Sequence, residues 1–210
     1  MNYLAHIVLS KSNIDFQLGN LLADPLKAKR WDGANDEHYA GMRMHLAIDS
    51  FTDSNKTISL SKSRLRKKGY LKGVVIDMTY DYFLSKHWNS FVKQDLASFV
   101  NDFNQNAQFE LEQLPEKAAS FIRQITSNDV LISYKDFSGL EHAFRRIDKR
   151  LSARIIAKET TESYIPDVVK NYAEIEQDFL EFFPQLIEMF IKKTSFETHE
   201  HFFKDLISQK

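Results

Sequence analysis

Side chains that suit a divalent metal or proton transfer crowd into the first 90 positions: His6, Asn20, Asp24, His45, Asp49, Asp53, Asp77, Asp81 and His87. The second half has no comparable cluster. His45 and Asp49 are four residues apart, so on a helix both leave the same face with Cβ atoms roughly 5–6 Å apart. Asp77 and Asp81 repeat the spacing. Two facing helices with such pairs, joined by a carboxylate from a third segment, make a pocket of oxygens and imidazoles. That pocket suits Mn²⁺, Mg²⁺ or Fe²⁺ better than a closed structural zinc site, and it is a catalytic type of ligand set. Each pair alone also reads as an ordinary helix-face contact. For Asp77 and Asp81 this plainer reading is strained, because two like charges at that spacing in an apolar and aromatic stretch repel unless cations or donors face them.

The elements that carry these residues are expected to be helices. Only 6 Gly and 4 Pro in 210 residues leave little turn chemistry for many short strands, while 43% hydrophobic residues and 17 Phe supply a sizeable core. Neither a linker nor a repeat marks a boundary, so residues 1–210 read as one all-α domain, a helical bundle. Ser12-Asn13-Ile14-Asp15 can start a helix that Asp24-Pro25 ends. Apolar spacing predicts further helices over 36–53, 74–91, 94–105, 115–126, 138–158, 167–192 and 195–208, with a break near Phe183 because Pro184 lacks an N–H. Trp88 and Phe83 fall in with the core, and His38 and His142 on the surface. With no Cys there is no disulfide framework, thiolate metal site or cysteine nucleophile. The opening Met1–Leu9 lacks a basic lead-in and meets Lys11 early, so it reads as mature protein, and no window resembles a membrane span; a cytoplasmic protein is expected.

Four motifs stand out in order and spacing: Asn2-Tyr3-Leu4-Ala5-His6; Gly19-Asn20-Leu21-Leu22-Ala23-Asp24; His45-Leu46-Ala47-Ile48-Asp49-Ser50-Phe51-Thr52-Asp53; and Asp77-Met78-Thr79-Tyr80-Asp81-Tyr82-Phe83-Leu84 with His87-Trp88. Together they resemble the acyl carrier protein phosphodiesterase family over about residues 1–90. The resemblance implies an all-helical relative of the HD-domain metal phosphohydrolases that depends on a divalent cation, typically Mn²⁺. It implies hydrolysis of the phosphodiester that joins 4′-phosphopantetheine to a serine of holo acyl carrier protein, giving the apo form. Carried onto this sequence, it makes His6, Asp24, His45, Asp49, Asp77 and Asp81 the expected metal ligands. Asp81, or His87, is then available for proton transfer. The chemistry agrees with the residue types, since a divalent ion both neutralises phosphodiester oxygens and lowers the pKa of water, and no protein nucleophile is needed. The sequence departs from the family at Leu46, where Arg usually follows the motif His, and at Tyr82, where His usually follows the Tyr-Asp pair. Arg43 or the basic segment would have to replace a lost phosphate brace.

Lys and Arg total 28 against 29 Asp and Glu, a formal net charge of −1, so any attraction for a charged partner must be local. From Ser54 to Ile76 there are seven cations and no acid: Lys56, Lys62, Arg64, Arg66, Lys67, Lys68 and Lys72. Such a ridge would orient an acidic protein substrate such as acyl carrier protein, with Arg64, Arg66, Lys67 and Lys68 as its expected contacts; it would also serve as a solubilising face. Nucleic acid is not expected, because Tyr70 is the segment's one aromatic residue. Two other readings keep some of these features: an HD-like hydrolase of a small phosphoester or nucleotide, and a non-enzymatic module that binds an acidic partner through residues 56–72.

Overall fold

The computed structural model describes residues 1–66, 68–127, 130–194 and 200–203. Among these the architecture is all-α: α1 (Tyr3–Val8), α2 (Ile14–Leu22), α3 (Asp36–Ser54), α4 (Lys56–Arg64), α5 (Lys72–Lys86), α6 (Trp88–Phe91), α7 (Leu96–Glu110), α8 (Glu116–Ser127), α9 (Phe137–Asp148), α10 (Ala153–Ile156), α11 (Ile165–Lys170) and α12 (Tyr172–Lys193). The one extended pairing among them is an isolated bridge between Val92 and Phe202. No helix among the described residues is long and apolar enough to cross a membrane. One cluster of buried side chains runs from Leu4 to Phe202 and includes Phe83 and Trp88.

The pair α2 and α3 carries much of the site, and two glycines let it close. A Cβ on Gly19 would run into the His38 carbonyl, and one on Gly41 into the Phe16 carbonyl, so the two backbones approach more closely than any side chain permits. Each helix is also fixed at its start. Asn13 accepts from the Phe16 N–H at 2.9 Å to begin α2. At α3, Asn35 accepts from the His38 N–H at 3.0 Å while His38 Nδ1 accepts from the Asn35 N–H at 3.2 Å, a reciprocal cap. His38 is therefore buried rather than on the surface, packed edge-on against Trp31 with ring centroids 4.7 Å apart.

Helix α5 lies at the centre, with Tyr80 and Phe83 against Phe179 and Phe182 of α12. Ser61 of α4 joins both neighbours: its hydroxyl donates to Asp178 at 2.7 Å and lies 2.8 Å from the Tyr80 hydroxyl. Helix α12 runs unbroken through Pro184. The expected break is absent because Phe182, Phe183, Leu186 and Ile187 are all fully buried along one packed face, and the Gln185 side chain donates at 2.9 Å to the Glu181 carbonyl in the turn that Pro184 weakens. The helix expected over 138–158 is instead split into α9 and α10, and that over 167–192 begins as α11 before α12. Of 195–208, residues 195–199 and 204–208 lie outside the described residues, and 200–203 form a turn and the bridge to Val92. Two helices were not legible in the sequence: α1, and α4 within the basic segment.

Candidate metal centre

His6 reaches the site from α1 and is buried. Its tautomer follows from Asn20, which is fully buried on α2. The Asn20 amide NH₂ donates to the His6 carbonyl (2.8 Å), the Leu9 carbonyl (3.3 Å) and the Ser10 hydroxyl (2.9 Å), so its oxygen is the atom 2.8 Å from His6 Nδ1. An oxygen there makes Nδ1 the protonated nitrogen and leaves the lone pair on Nε2, the arrangement in which a histidine ligates a metal. Burial holds the His6 pKa below its ordinary value, with Asp49 working against that. The lone pair of Nε2 then faces Asp49 Oδ1 at 3.4 Å, one acceptor turned toward another.

His45, also buried, comes from α3, and its ring stacks on that of His6 with centroids 4.1 Å apart and planes 18° apart. Its Nε2 lies 3.2 Å from Asp24 and 3.1 Å from Asp49. Burial opposes charge on His45, but the two carboxylates outweigh it and push its pKa up to about 9. Burial likewise works to raise Asp49, and the two imidazoles override it and hold the carboxyl far below the usual range. Asp24 is lowered, first by the close approach of His45 Nε2. Neither His6 Nε2 nor either ring nitrogen of His45 has a well-directed hydrogen bond. These buried, poorly satisfied nitrogens and the carboxylate place one ligand atom each within 4.8 Å of one another, a set that fits a divalent cation.

Asp24 stands at the exit of α2, where the Ala28 N–H returns to the Ala23 carbonyl at 2.6 Å and Lys27 and Ala28 take left-handed φ values of 54° and 51°. That tight turn ends α2 beside His45. A cavity of about 190 Å³ opens over the cluster, lined by His6, Asp24, His45 and Asp77 together with Tyr3 and Ile147. Asp77 Oδ1 is 3.2 Å from the Met1 amino group, which also lies 3.9 Å from Asp49.

The model of the family described as acyl carrier protein phosphodiesterase matches residues 1–186. The chain belongs to the acyl carrier protein phosphodiesterase family. Among proteins of that name it is 24% identical to one from Pectobacterium atrosepticum over 191 residues, covering 90% of this chain and 97% of that protein. It is 26% identical to one from Photorhabdus laumondii over 191 residues (90% and 94%) and 25% identical to one from Escherichia coli O157:H7 over 195 residues (92% and 99%). No solved structure matches the chain.

In this family member, four of the six expected ligands line the cavity, His6, Asp24, His45 and Asp77, and a fifth, Asp49, lies against His6 and His45. Asp81 makes a different set of contacts. It is fully buried and accepts from the Leu4 N–H at 2.8 Å and the Ala5 N–H at 3.3 Å, so it caps α1 across the fold. Burial pushes its pKa up to about 7, against the lowering effect of those two N–H groups. The like charges of Asp77 and Asp81 are thus met separately, one by an ammonium and one by a helix start. His87 is ten residues beyond Asp77, about 15 Å along α5. Its Nε2 lies 2.6 Å from Glu176 of α12, away from the cluster.

The basic segment finds its counter-charges from distant parts of the chain. Arg64 binds Asp178 through Nε at 2.7 Å and Nη2 at 2.9 Å, Arg66 binds Asp167 at 2.9 Å and lies over the Tyr164 ring, and Lys62 is 3.4 Å from Asp53. Lys56 and Lys68 stay exposed without an acidic partner among the described residues, and Lys67 lies outside those residues. Arg43 is two residues from His45, about 200° round α3. It sits over the Tyr39 ring and lines a separate cavity of about 430 Å³ with Lys11 and Lys193. Leu46 is exposed beside the cluster. Sequence reading missed Tyr3 and Ile147 as cavity walls; helical spacing on α9 was the one available signal for Ile147.

Proposed function

We propose that this protein hydrolyses the phosphodiester that links 4′-phosphopantetheine to serine in holo acyl carrier protein, using a divalent cation, Mn²⁺ in the first instance and Mg²⁺ or Fe²⁺ otherwise. The observation that carries the reading is the convergence of His6, His45 and Asp49, with buried ring nitrogens that lack a well-directed hydrogen bond, in a chain of this family. A cation held by these three residues, with Asp24 or Asp77 completing the set, would neutralise the diester oxygens and make water acidic enough to attack phosphorus at neutral pH. Asn20 keeps the His6 lone pair directed at the site. Asp24 and Asp77 both line the cavity, and whichever of them is not held to the cation is the carboxylate placed to take the proton of the attacking water and return one to the departing serine oxygen. The oxygen–phosphorus bond to serine breaks as water oxygen joins phosphorus, giving a phosphomonoester and the free hydroxyl. Lys56 and Lys68 would meet an acidic carrier protein, which is encountered in the cytoplasm; Arg64 and Arg66 support that face through the fold.

The test is to incubate the Mn²⁺-treated protein with holo acyl carrier protein and follow the carrier mass. Conversion to the apo form by the wild type, abolished in His45→Ala and Asp49→Ala, is expected. A wild type that binds Mn²⁺ but leaves holo carrier protein intact while cleaving small diesters would transfer the site to another phosphoester.

A further inference from the structure

Next to the metal cavity lies a smaller one of about 30 Å³, room for about one water molecule or one oxygen of a larger group. The two share Asn2, Tyr3, Met78 and Ile147 as walls. The smaller one adds two cations, Arg146 of α9 and Arg150 of the turn that follows. Spaced four apart, they leave one side of the chain with Ile147 between them.

Most arginines of this protein are neutralised: Arg30 by Asp36, Arg64 by Asp178, Arg66 by Asp167, Arg123 by Glu116, and Arg145 by Glu141 and Glu162. Arg146 and Arg150 have no acidic partner among the described residues. Arg146 Nη2 donates to the Ser133 hydroxyl at 3.1 Å, and Arg150 interacts with the Tyr3 hydroxyl. Two guanidinium groups with no acidic partner among the described residues, in a cavity that shares Asn2, Tyr3, Met78 and Ile147 with the one over the metal ligand set, form a place for an anion beside the metal. A guanidinium presents parallel N–H donors matched to phosphoryl oxygens.

We propose that Arg146 and Arg150, with the Tyr3 hydroxyl, form the anion-binding wall of the site, taking the phosphoryl oxygens of the substrate and holding the extra negative charge of the phosphomonoester product. This rests on the phosphodiesterase reading above. The small volume admits a single oxygen and excludes an acyl chain or nucleobase, so the wall grips the phosphorus centre rather than the remainder of the arm.

Inorganic phosphate is the probe, titrated calorimetrically into the wild type, Arg146→Ala/Arg150→Ala, Arg150→Lys and Arg145→Ala, each with and without Mn²⁺. The double variant is expected to bind phosphate at least about tenfold more weakly in both states and to lose about 100-fold in kcat/KM on holo carrier protein. Arg145→Ala, whose charge is already paired, should stay within about twofold, and Arg150→Lys should recover only part of the loss, because a point charge replaces a fork. Melting temperatures should match the wild type. Phosphate affinity unchanged in the double variant, or no saturable phosphate binding by the wild type, overturns the proposal. Arginine-dependent phosphate binding in a protein that leaves holo carrier protein intact would sink the phosphodiesterase reading and keep the anion wall. Normal conversion by the double variant would do the reverse.

Discussion

Replacing Asp81 with Ala is expected to loosen the start of α1 rather than to remove a metal ligand. The carboxylate accepts two buried N–H groups, those of Leu4 and Ala5. Leaving both unsatisfied costs about 1–3 kcal/mol each, offset by removal of an acid whose burial already raises its pKa, so a net loss of about 2–4 kcal/mol follows. For a chain of this size that is a fall in Tm of roughly 5–12 °C. Asp81→Asn keeps the shape and one acceptor oxygen, and should lose only about 1–2 kcal/mol. Because His6 rides on α1, the Ala variant weakens metal binding indirectly, whereas the Asn variant should bind Mn²⁺ within about threefold of wild type. The pH dependence is a second readout. A carboxyl whose folded pKa is raised to about 7 contributes stability in full below its ordinary pKa and loses it as pH rises through 7. The stability of the wild type relative to Asp81→Asn should therefore decline from about pH 5 to about pH 8. Thermal melts across that range and Mn²⁺ calorimetry on the three proteins decide the matter. An Asn variant that melts like the wild type but loses Mn²⁺ affinity more than about 100-fold would make Asp81 a direct ligand and refute the capping argument.

Asn20→Ala frees the His6 ring to rotate or change tautomer, and Mn²⁺ affinity should drop about 10–100-fold, measured calorimetrically alongside a melt to separate it from the stability lost when three buried acceptors lose the Asn20 amide. His45, raised to about 9, contributes stability to the metal-free protein in full below its ordinary pKa and loses it as pH rises through 9. Metal needs the neutral imidazole, so binding at neutral pH should release about one proton per site, seen as different heats in buffers of different ionisation enthalpy; equal heats would show His45 already neutral. Arg64→Ala strands the buried Asp178 carboxylate and should cost about 2–3 kcal/mol in denaturant melts, less than a fully buried pair because the guanidinium is a quarter exposed. If Arg64 instead served chiefly to hold a carrier protein, the variant would melt normally and raise KM alone.

What the sequence made legible was the part of the site that lies within one helix. His45 and Asp49 share a face by spacing alone, and nothing else in the fold alters that relation. Asp77 and Asp81 have the same spacing and meet different partners, the Met1 amino group for one and the Leu4 and Ala5 N–H groups for the other, because a buried carboxylate asks only for positive partners and a helix start supplies them. The choice was made by where α1 packs, which no local pattern encodes. The basic segment shows the same limit. Its cations look uncompensated when counted along the chain, yet Asp178 and Asp167 arrive from more than a hundred residues away and absorb both arginines. Pro184 fails to break α12 because packing on Phe182, Phe183 and Leu186 outweighs one missing hydrogen bond. In each case a short-range rule met a long-range partner and lost. A chain can therefore display ligand types at the right spacing and still require its fold to show which are ligands. Here the fold separates the poorly satisfied ring nitrogens of His6 and His45, which converge on Asp49, from the satisfied oxygens of Asp81.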